Sequence, residues 1–388
     1  MIGLLVIVYI LFVSLGMVEP LLGGAWPAMY SDIGADPALA GVISMFIAGS
    51  TILAGIVNAR FLRRFGAGVV FAISVGLMGV ALFGFSISSS FVMLLLLAIP
   101  LGFGVGHMDV GANSFVTAHY KPQYVNWLHG FWALGASIGP MVMAFGLVHF
   151  QTWRAGYRMV GGVHLILLVV VLALLPLWRR ASAGETEAAQ SEQETPGLLE
   201  LSRLKGAKAG ALTLFFAGGI ELATGLWGST YLVMIRGIAP YVATSWMAMF
   251  YLGLTLGRFL GGFLVMRLSD RQMVRLGQGL MLLGIVIIAL PFNALLLPGL
   301  LLMGFGASPI FPNILLGTPH RFGIRYNSAM IGFQMAFAYA GISFLPPIFG
   351  VVGVTMGYGF FPLFLAVLLG GMIAATTMLY RRFPEQPK

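Results

Sequence analysis

Runs of about 20 apolar residues recur along this 388-residue chain, and each has the length an α-helix needs to cross a hydrocarbon layer roughly 30 Å thick. Twelve such runs can be placed, at about 4–30, 37–60, 68–87, 91–117, 124–149, 155–178, 209–235, 240–266, 274–292, 295–317, 326–350 and 356–380. Lipid offers the backbone no water to bond, so a spanning segment must be a helix or a strand of a closed barrel. Barrel strands give alternating segments of ~10 residues, a pattern this chain lacks. With 59% hydrophobic and 9% charged residues, the chain carries more apolar surface than a soluble domain of this size could bury. The expectation is an all-α integral membrane protein with 12 transmembrane helices.

The first run begins almost at Met1, with no basic region or small-residue cleavage site set apart from it, so no removable signal peptide is expected. Lys and Arg number 21 against 12 Asp and Glu, a net charge of +9. Assigning alternate loops to opposite sides puts every Lys and Arg on one side except Arg154, Arg158, Arg236 and Arg258. By the positive-inside rule that side is cytoplasmic, which predicts a multi-pass plasma (inner) membrane protein with both termini in the cytoplasm. The basic excess is then a topology signal, and no nucleic-acid partner is expected. The expected partners are the lipid bilayer and a small-molecule substrate, handled by a monomer. Absence of cysteine excludes disulfides and thiolate metal sites. The histidines are dispersed and no Gly-rich phosphate loop with a Lys occurs, so no metal, cofactor, ATP-driven step or enzymatic activity is expected.

Three carboxylates, Glu19, Asp109 and Glu221, lie inside apolar runs. An ionisable group at that depth costs from about 2.5 to over 10 kcal/mol, so it marks a place of work. Glu19 and Glu221 stand 202 residues apart, and the Gly16/Gly218 and Gly23/Gly225 pairs around them keep that offset. So do Gly55/Gly257, Gly102-Phe103-Gly104 with Gly304-Phe305-Gly306, and Gly130-Phe131 with Gly332-Phe333. The repeat divides the chain into an N-terminal six-helix half at 1–180 and a C-terminal half at 208–388. Between them, 181–207 is the only long polar stretch, acidic from Glu185 to Glu200 and then basic. It reads as a cytoplasmic linker, with a short surface helix at 197–205.

Several polar and aromatic side chains accompany the acids. Tyr9, Phe12, Gly16, Glu19, Gly23 and Trp26 fall on one face of a helix, with Pro20 and Pro27 bending it beside the acid. Asp109 and Asn113 are four apart and share a face, offering a carboxylate and an amide to a polyol, or a structural bond to a neighbouring helix. His107 points elsewhere and is only a potential partner. His129 and Trp132 share a face of the fifth span, where His129 can bind substrate, relay protons or cap a packed interface. Glu221 is followed by Trp227 and Tyr231, and Asn313 and Gln334 complete the polar groups of the second half. Trp127, Trp153 and Trp178 fall near span ends, as interfacial rings do.

Two halves of six helices related by a repeat, with a site at the midplane between them, are the architecture of the major facilitator superfamily. After the second span, Gly55-x-x-x-Ala59-Arg60-x-x-Arg63-Arg64 resembles that superfamily's cytoplasmic gating-loop motif, without its acid and second glycine. Gly262-x-x-x-Met266-Arg267-x-x-Asp270-Arg271 is its counterpart after the eighth. More narrowly, Asp109-Val-Gly-Ala-Asn113-Ser-Phe-Val116 resembles a segment of the fucose:proton symporter-like family. Leu128-His129-Gly130-Phe131-Trp132-Ala-Leu-Gly135-Ala136 is similar to the branch of bypass-of-stop-codon proteins and sodium-dependent glucose transporters. The family's fucose permease carries its first-span acid about one turn later and an Asn at the place of Trp132.

The resemblance implies a sugar or related polyol moved by alternating access on a proton or sodium gradient. Asp109, with Glu19, would couple the proton. Trp26, Trp132 and Trp227 would stack on the sugar ring, while Glu19, Asn113, His129, Glu221, Asn313 and Gln334 bond its hydroxyls. Gly135-x-x-x-Gly139-Pro140 partly matches an antiporter motif, which keeps a proton-coupled drug exporter open, although Pro100-Leu-Gly-Phe-Gly-Val-Gly lacks the arginine common in those exporters.

Overall fold

A computed structural model of the chain describes residues 2–120, 122–182, 197–264 and 267–383. Lys121, Met266, Lys388 and most of the expected linker, 183–196, lie outside the described residues. The helices are α1 (Ile2–Val18), α2 (Leu21–Asp32), α3 (Leu39–Phe65), α4 (Ala67–Ile87), α5 (Phe91–His119), α6 (Pro122–His149), α7 (Trp153–Ala173), α8 (Leu175–Ser182) and α9 (Leu198–Arg203). They continue with α10 (Ala207–Met234), α11 (Pro240–Leu264), α12 (Asp270–Ala289), α13 (Leu296–Ala307), α14 (Ile310–Leu316), α15 (Thr318–Phe322), α16 (Asn327–Met356) and α17 (Phe361–Arg382). No strand occurs among the described residues. Eleven stretches there are long and apolar enough to cross a membrane, with α1–α2 and α13–α15 each counting as one. At 25 residues α11 also has crossing length, and it holds Arg258 in its interior.

Local chemistry sets the helix ends. Ser90 caps α5 by accepting from the Met93 N–H, Thr152 caps α7 through the Arg154 N–H, and Ser269 with Gln272 forms a reciprocal capping box on α12. Arg63 and Arg64 in the last turn of α3, and Arg381 and Arg382 in that of α17, suit the negative end of the helix dipole. Two crossings are broken. Glu19 and Pro20 separate α1 from α2, as the proline led one to expect, and Ser308 and Pro309 separate α13 from α14. At each, the proline nitrogen has no hydrogen to give to the preceding turn.

The chain forms two compact units, one of Met1–Ser191 with Leu232–Ala248, the other of Glu192–Tyr231 with Met249–Lys388. Leu232–Ala248 groups with the first unit, where the Thr244 hydroxyl donates to the Gly24 carbonyl at 2.7 Å. In that unit α1 packs on α6, α3 on α5, and α4 on both α5 and α7; in the second, α12 packs on α13, α14 and α17. Arg154 ties one end of the first unit together. It pairs with Asp32 at the end of α2, donates to the Ser88 carbonyl at 3.0 Å, and lies 4.3 Å from the Trp153 ring centre.

The 202-residue repeat reappears as matching contacts inside the two units. A Cβ on Gly16 would lie 2.9 Å from the Ala136 nitrogen, and one on Gly218 would lie 3.0 Å from the Ala338 carbonyl, the same pair of positions 202 residues on. A Cβ on Gly135 would collide with the Val13 carbonyl, and one on Gly341 with that of Phe215, 202 residues on from Val13, although Gly341 itself stands about one turn past the counterpart of Gly135. Gly102 abuts the Ile47 carbonyl as Gly304 abuts that of Phe250, while Gly104 and Gly306 face backbone of α4 and α12 respectively. Small residues let transmembrane backbones approach this closely. Gly135 and Gly139, which also fit an antiporter motif, are thus explained by the seam with α1, since a Cβ on Gly139 would meet the Met17 carbonyl.

Gly135→Val and Gly341→Val are therefore expected to force backbones apart at a cost of about 1–3 kcal/mol or more. Thermal unfolding of detergent-purified variants should show both destabilised relative to Gly370→Ala, where nothing lies within 4 Å of an added Cβ.

Candidate functional site

In the first unit, the acid and amide singled out on α5 meet. The Asn113 Nδ2 donates to the Asp109 carboxylate and to the Asp109 backbone carbonyl, each at 3.0 Å, and both residues are half-buried. The amide thereby orients the carboxylate, and one Asp109 oxygen is held as an acceptor. Glu19 is exposed in the break between α1 and α2. On α6 His129 is exposed and Trp132 half-buried, and the His129 ring stands edge-on to Phe12 at 6.2 Å. His107 turns away and is buried, its Nδ1 2.9 Å from the Asn58 Oδ1 on α3.

The helical stripe expected to face a ligand from the first span is divided among different tasks. Tyr9 stacks on Phe131 at 4.6 Å and donates to the Tyr124 carbonyl, while Gly16 abuts the Trp132 backbone, so this end of the stripe is the α1–α6 seam. Trp26 is fully buried and its indole N–H donates to the Pro37 carbonyl at 2.7 Å.

The second unit holds a charge pair. Glu221 is the fifteenth of 28 residues in α10, and its carboxylate lies 3.8 Å from the Arg258 guanidinium of α11, with side-chain exposures of 14% and 16%. Sequence reading set Arg258 aside as one of four arginines off the basic side. Its signal was its position, since it is the only charged residue of α11. An ionisable residue at membrane depth is a candidate for function by default.

The remaining expectations for this unit are not met at an open surface. Trp227 is fully buried, donating its indole N–H to the Pro346 carbonyl at 2.7 Å. Neither it nor Trp26 presents an open ring face for stacking. Asn313 is buried and donates to the Pro309 carbonyl at 2.7 Å, one turn back at the N-terminal end of its own helix. Gln334 is buried too, its Oε1 accepting from the Thr318 hydroxyl at 3.1 Å. Trp227 and Gln334 thus link helices, Trp26 and Asn313 bond carbonyls close to their own helices, and the Gln334 Nε2 is buried with no hydrogen-bond partner.

Of the gating-loop residues, Arg60, Arg63, Arg64 and Arg267 are exposed. Asp270 pairs with Arg321, which reaches from α15 and also donates to the Ile314 carbonyl at 3.1 Å. Arg271 and Arg321 both lie 5.4 Å from the Tyr380 ring centre on α17. The second copy of the loop motif is thus built into a clasp of α12, α15 and α17. Among the described residues no group of three or more His, Asp or Glu could hold a metal ion.

With this geometry in view, the comparisons with known proteins are decisive for the family. Residues 8–346 match the sequence profile of the Major Facilitator Superfamily. The chain belongs to that superfamily. Its fold and family are those of multi-pass membrane transporters, which bind small molecules within the membrane. Bypass of stop codon protein 6 from Saccharomyces cerevisiae is 22% identical over 97% of this chain and 81% of its own length. The cis,cis-muconate transport protein of Acinetobacter baylyi is 22% identical over 89% and 87%. Among solved structures, a point mutant of the nucleoside transporter NupG superposes with a TM-score of 0.80 at 14% identity, covering 98% of this chain and 99% of that one. A D-xylose-proton symporter superposes with a TM-score of 0.75 at 16% identity, covering 97% of each.

Asp270→Asn leaves Arg321, whose side chain is only 6% exposed, without its counter-ion. As Asp270 is 37% exposed, the expected loss lies between surface-pair and buried-pair values, on the order of 1–3 kcal/mol. Asp270→Asn/Arg321→Gln should lose less than the two single variants together in thermal unfolding, and a loss equal to or greater than their sum would contradict the pairing.

Proposed function

We propose that this superfamily member is a secondary active symporter that carries a sugar or related polyol with protons, by alternating access, as a monomer in the plasma membrane with both termini cytoplasmic. The observation that carries the reading is the Asp109–Asn113 pair. Here a carboxylate oriented by an amide sits half-buried in a membrane-spanning helix, combining an acceptor and a donor suited to hydroxyls with a group able to exchange a proton. The shared fold with a D-xylose-proton symporter supports the substrate class and the coupling ion. Similarity to Bypass of stop codon protein 6 supports placement near the fucose:proton symporter-like branch.

In this reading Asp109 is the coupling group, assisted by Glu19, whose place in a helix break leaves it reachable by water. Glu19, Asn113, His129 and Trp132 of the first unit and Glu221 of the second contact the substrate. Trp26, Trp227, Asn313 and Gln334 shape the helices that present them.

In proteoliposomes, Asp109→Asn is expected to abolish sugar accumulation driven by a pH gradient while sugar counterflow persists. Undiminished uphill uptake by this variant would remove Asp109 from the coupling role. Failure of the unaltered protein to exchange any sugar or polyol would sink the substrate class. Repeating uptake at constant pH with and without sodium identifies the ion, and a sodium requirement would overturn proton coupling.

A further inference from the structure

Asp32 ends the first crossing, on the membrane face opposite to the chain's start, and Arg154 gathers three helix ends there. It pairs with Asp32 at the end of α2, donates to the Ser88 carbonyl in the α4–α5 turn and itself begins α7. Beside this knot lies a cavity of about 400 Å³, within the ~300–1,000 Å³ range of small-molecule sites. It is lined by Ala28, Ser31 and Asp32 of α2, Leu147 of α6 and the segment 151–154.

The fold uses only part of the polar chemistry on these walls. Arg154 and the Trp153 indole N–H both bond the Asp32 Oδ2, the indole at 2.9 Å, so the Asp32 Oδ1 has no donor among the described residues. The Ser31 hydroxyl likewise bonds none of them. Thr152 accepts the Arg154 backbone N–H at 3.3 Å and keeps its own hydroxyl hydrogen to give. Gln151 donates from its Nε2 to the Val148 carbonyl at 2.7 Å, which leaves its Oε1 as an acceptor. Gln151 also stands at φ +54°, the one non-glycine residue with a positive φ among those described. That conformation costs a side chain roughly 1–2 kcal/mol, and glycine is the common residue just past a helix end. The chain nevertheless carries an amide there, at the cavity wall.

Charge and shape select what these groups can hold. Arg154 balances Asp32, so the cavity offers an ion no net charge. It offers acceptors in Asp32 and Gln151, hydroxyls in Ser31 and Thr152, and an apolar wall in Ala28 and Leu147. That mixture suits the O–H and C–H faces of a neutral sugar. The cavity is also distinct from the acid and amide on α5. That helix starts near the same knot, just past Ser88, and Asp109 is its nineteenth residue, about 27 Å along the axis at 1.5 Å per residue. One sugar cannot touch both places.

Resting on the sugar-transport reading and the topology given with it, we propose that this cavity is a second, outer binding site, where a neutral sugar docks before it reaches Asp109 and Asn113. The sequence has no cysteine, so Ala28→Cys puts a single thiol on the cavity wall and leaves its polar groups intact. The rate at which a membrane-impermeant maleimide labels this full-length variant is measured in detergent with D-xylose, D-glucose, L-fucose or myo-inositol present. A sugar that the unaltered protein exchanges in counterflow should slow labelling severalfold. Protection should survive Asn113→Ala, which removes a contact of the inner site, at an unchanged half-maximal concentration. Gln151→Gly should raise that concentration roughly fivefold, the contribution of one hydrogen bond, while the unfolding temperature holds. Labelling of intact cells should occur as well, and its absence would overturn the outer placement. A sugar that is exchanged but gives no protection, or protection lost with Asn113→Ala, overturns the second site and leaves the sugar reading standing. If no sugar is exchanged and none protects, the sugar reading fails and takes this proposal with it.

Discussion

Backbone-to-backbone contact at glycines holds these helices in register. Between helices in lipid the hydrophobic effect supplies little, because the surrounding chains are as apolar as the side chains that would be buried. What remains is dispersion, which falls off steeply with any gap, together with weak Cα–H to carbonyl contacts. Gly16, Gly135, Gly102 and Gly104 in one unit, and Gly218, Gly341, Gly304 and Gly306 in the other, remove the atom that would keep those backbones apart. Polar groups can then be placed with little tolerance. Asp109 follows the glycine run that locks α5 to α3 and α4, and Arg258 follows Gly257, which faces Ser308. The acids and the arginine are positioned by helices that have little room to slide.

The duplicated scaffold separates packing from function. Where both copies keep a glycine against a neighbouring backbone, as at Gly16 and Gly218 or Gly104 and Gly306, the residue belongs to a seam. At Ile56 and Arg258 the copies part, and so do their surroundings, since Ile56 is 72% exposed while Arg258 faces Glu221. The two crossings broken before a proline follow the same logic. The break at Pro20 carries an acid, and that at Pro309 carries a serine whose hydroxyl donates to the Phe305 carbonyl at 2.8 Å.

Hydropathy made the spanning helices legible, because each crossing must satisfy its own backbone over a fixed thickness. The offset of 202 residues made the duplication legible, and Pro20 announced the first break. The inward-facing set was harder to read. Trp26, Trp227, Asn313 and Gln334 look like ligand contacts on a helical wheel, yet each is buried with a polar atom engaged by the protein. Periodicity gives a face but not what covers it, and an aromatic ring or amide serves a seam and a ligand equally well. Arg258 was overlooked for the opposite reason, since counting charges by loop treats an arginine within a span as noise. Asp109 and Asn113 were legible because a spacing of four fixes their meeting whatever surrounds them.

The gap between α1 and α2 also bears on the rate at which the molecule can change shape. Bending a continuous helix means breaking a backbone hydrogen bond in a medium that offers no replacement. At Pro20 that bond was never made, so bending there breaks no backbone hydrogen bond. What holds α2 in place is its ties to the rest of the unit, Asp32 to Arg154 and the Gly24 carbonyl to the Thr244 hydroxyl. The chain has given up helical regularity beside Glu19, an exposed carboxylate within an otherwise apolar crossing.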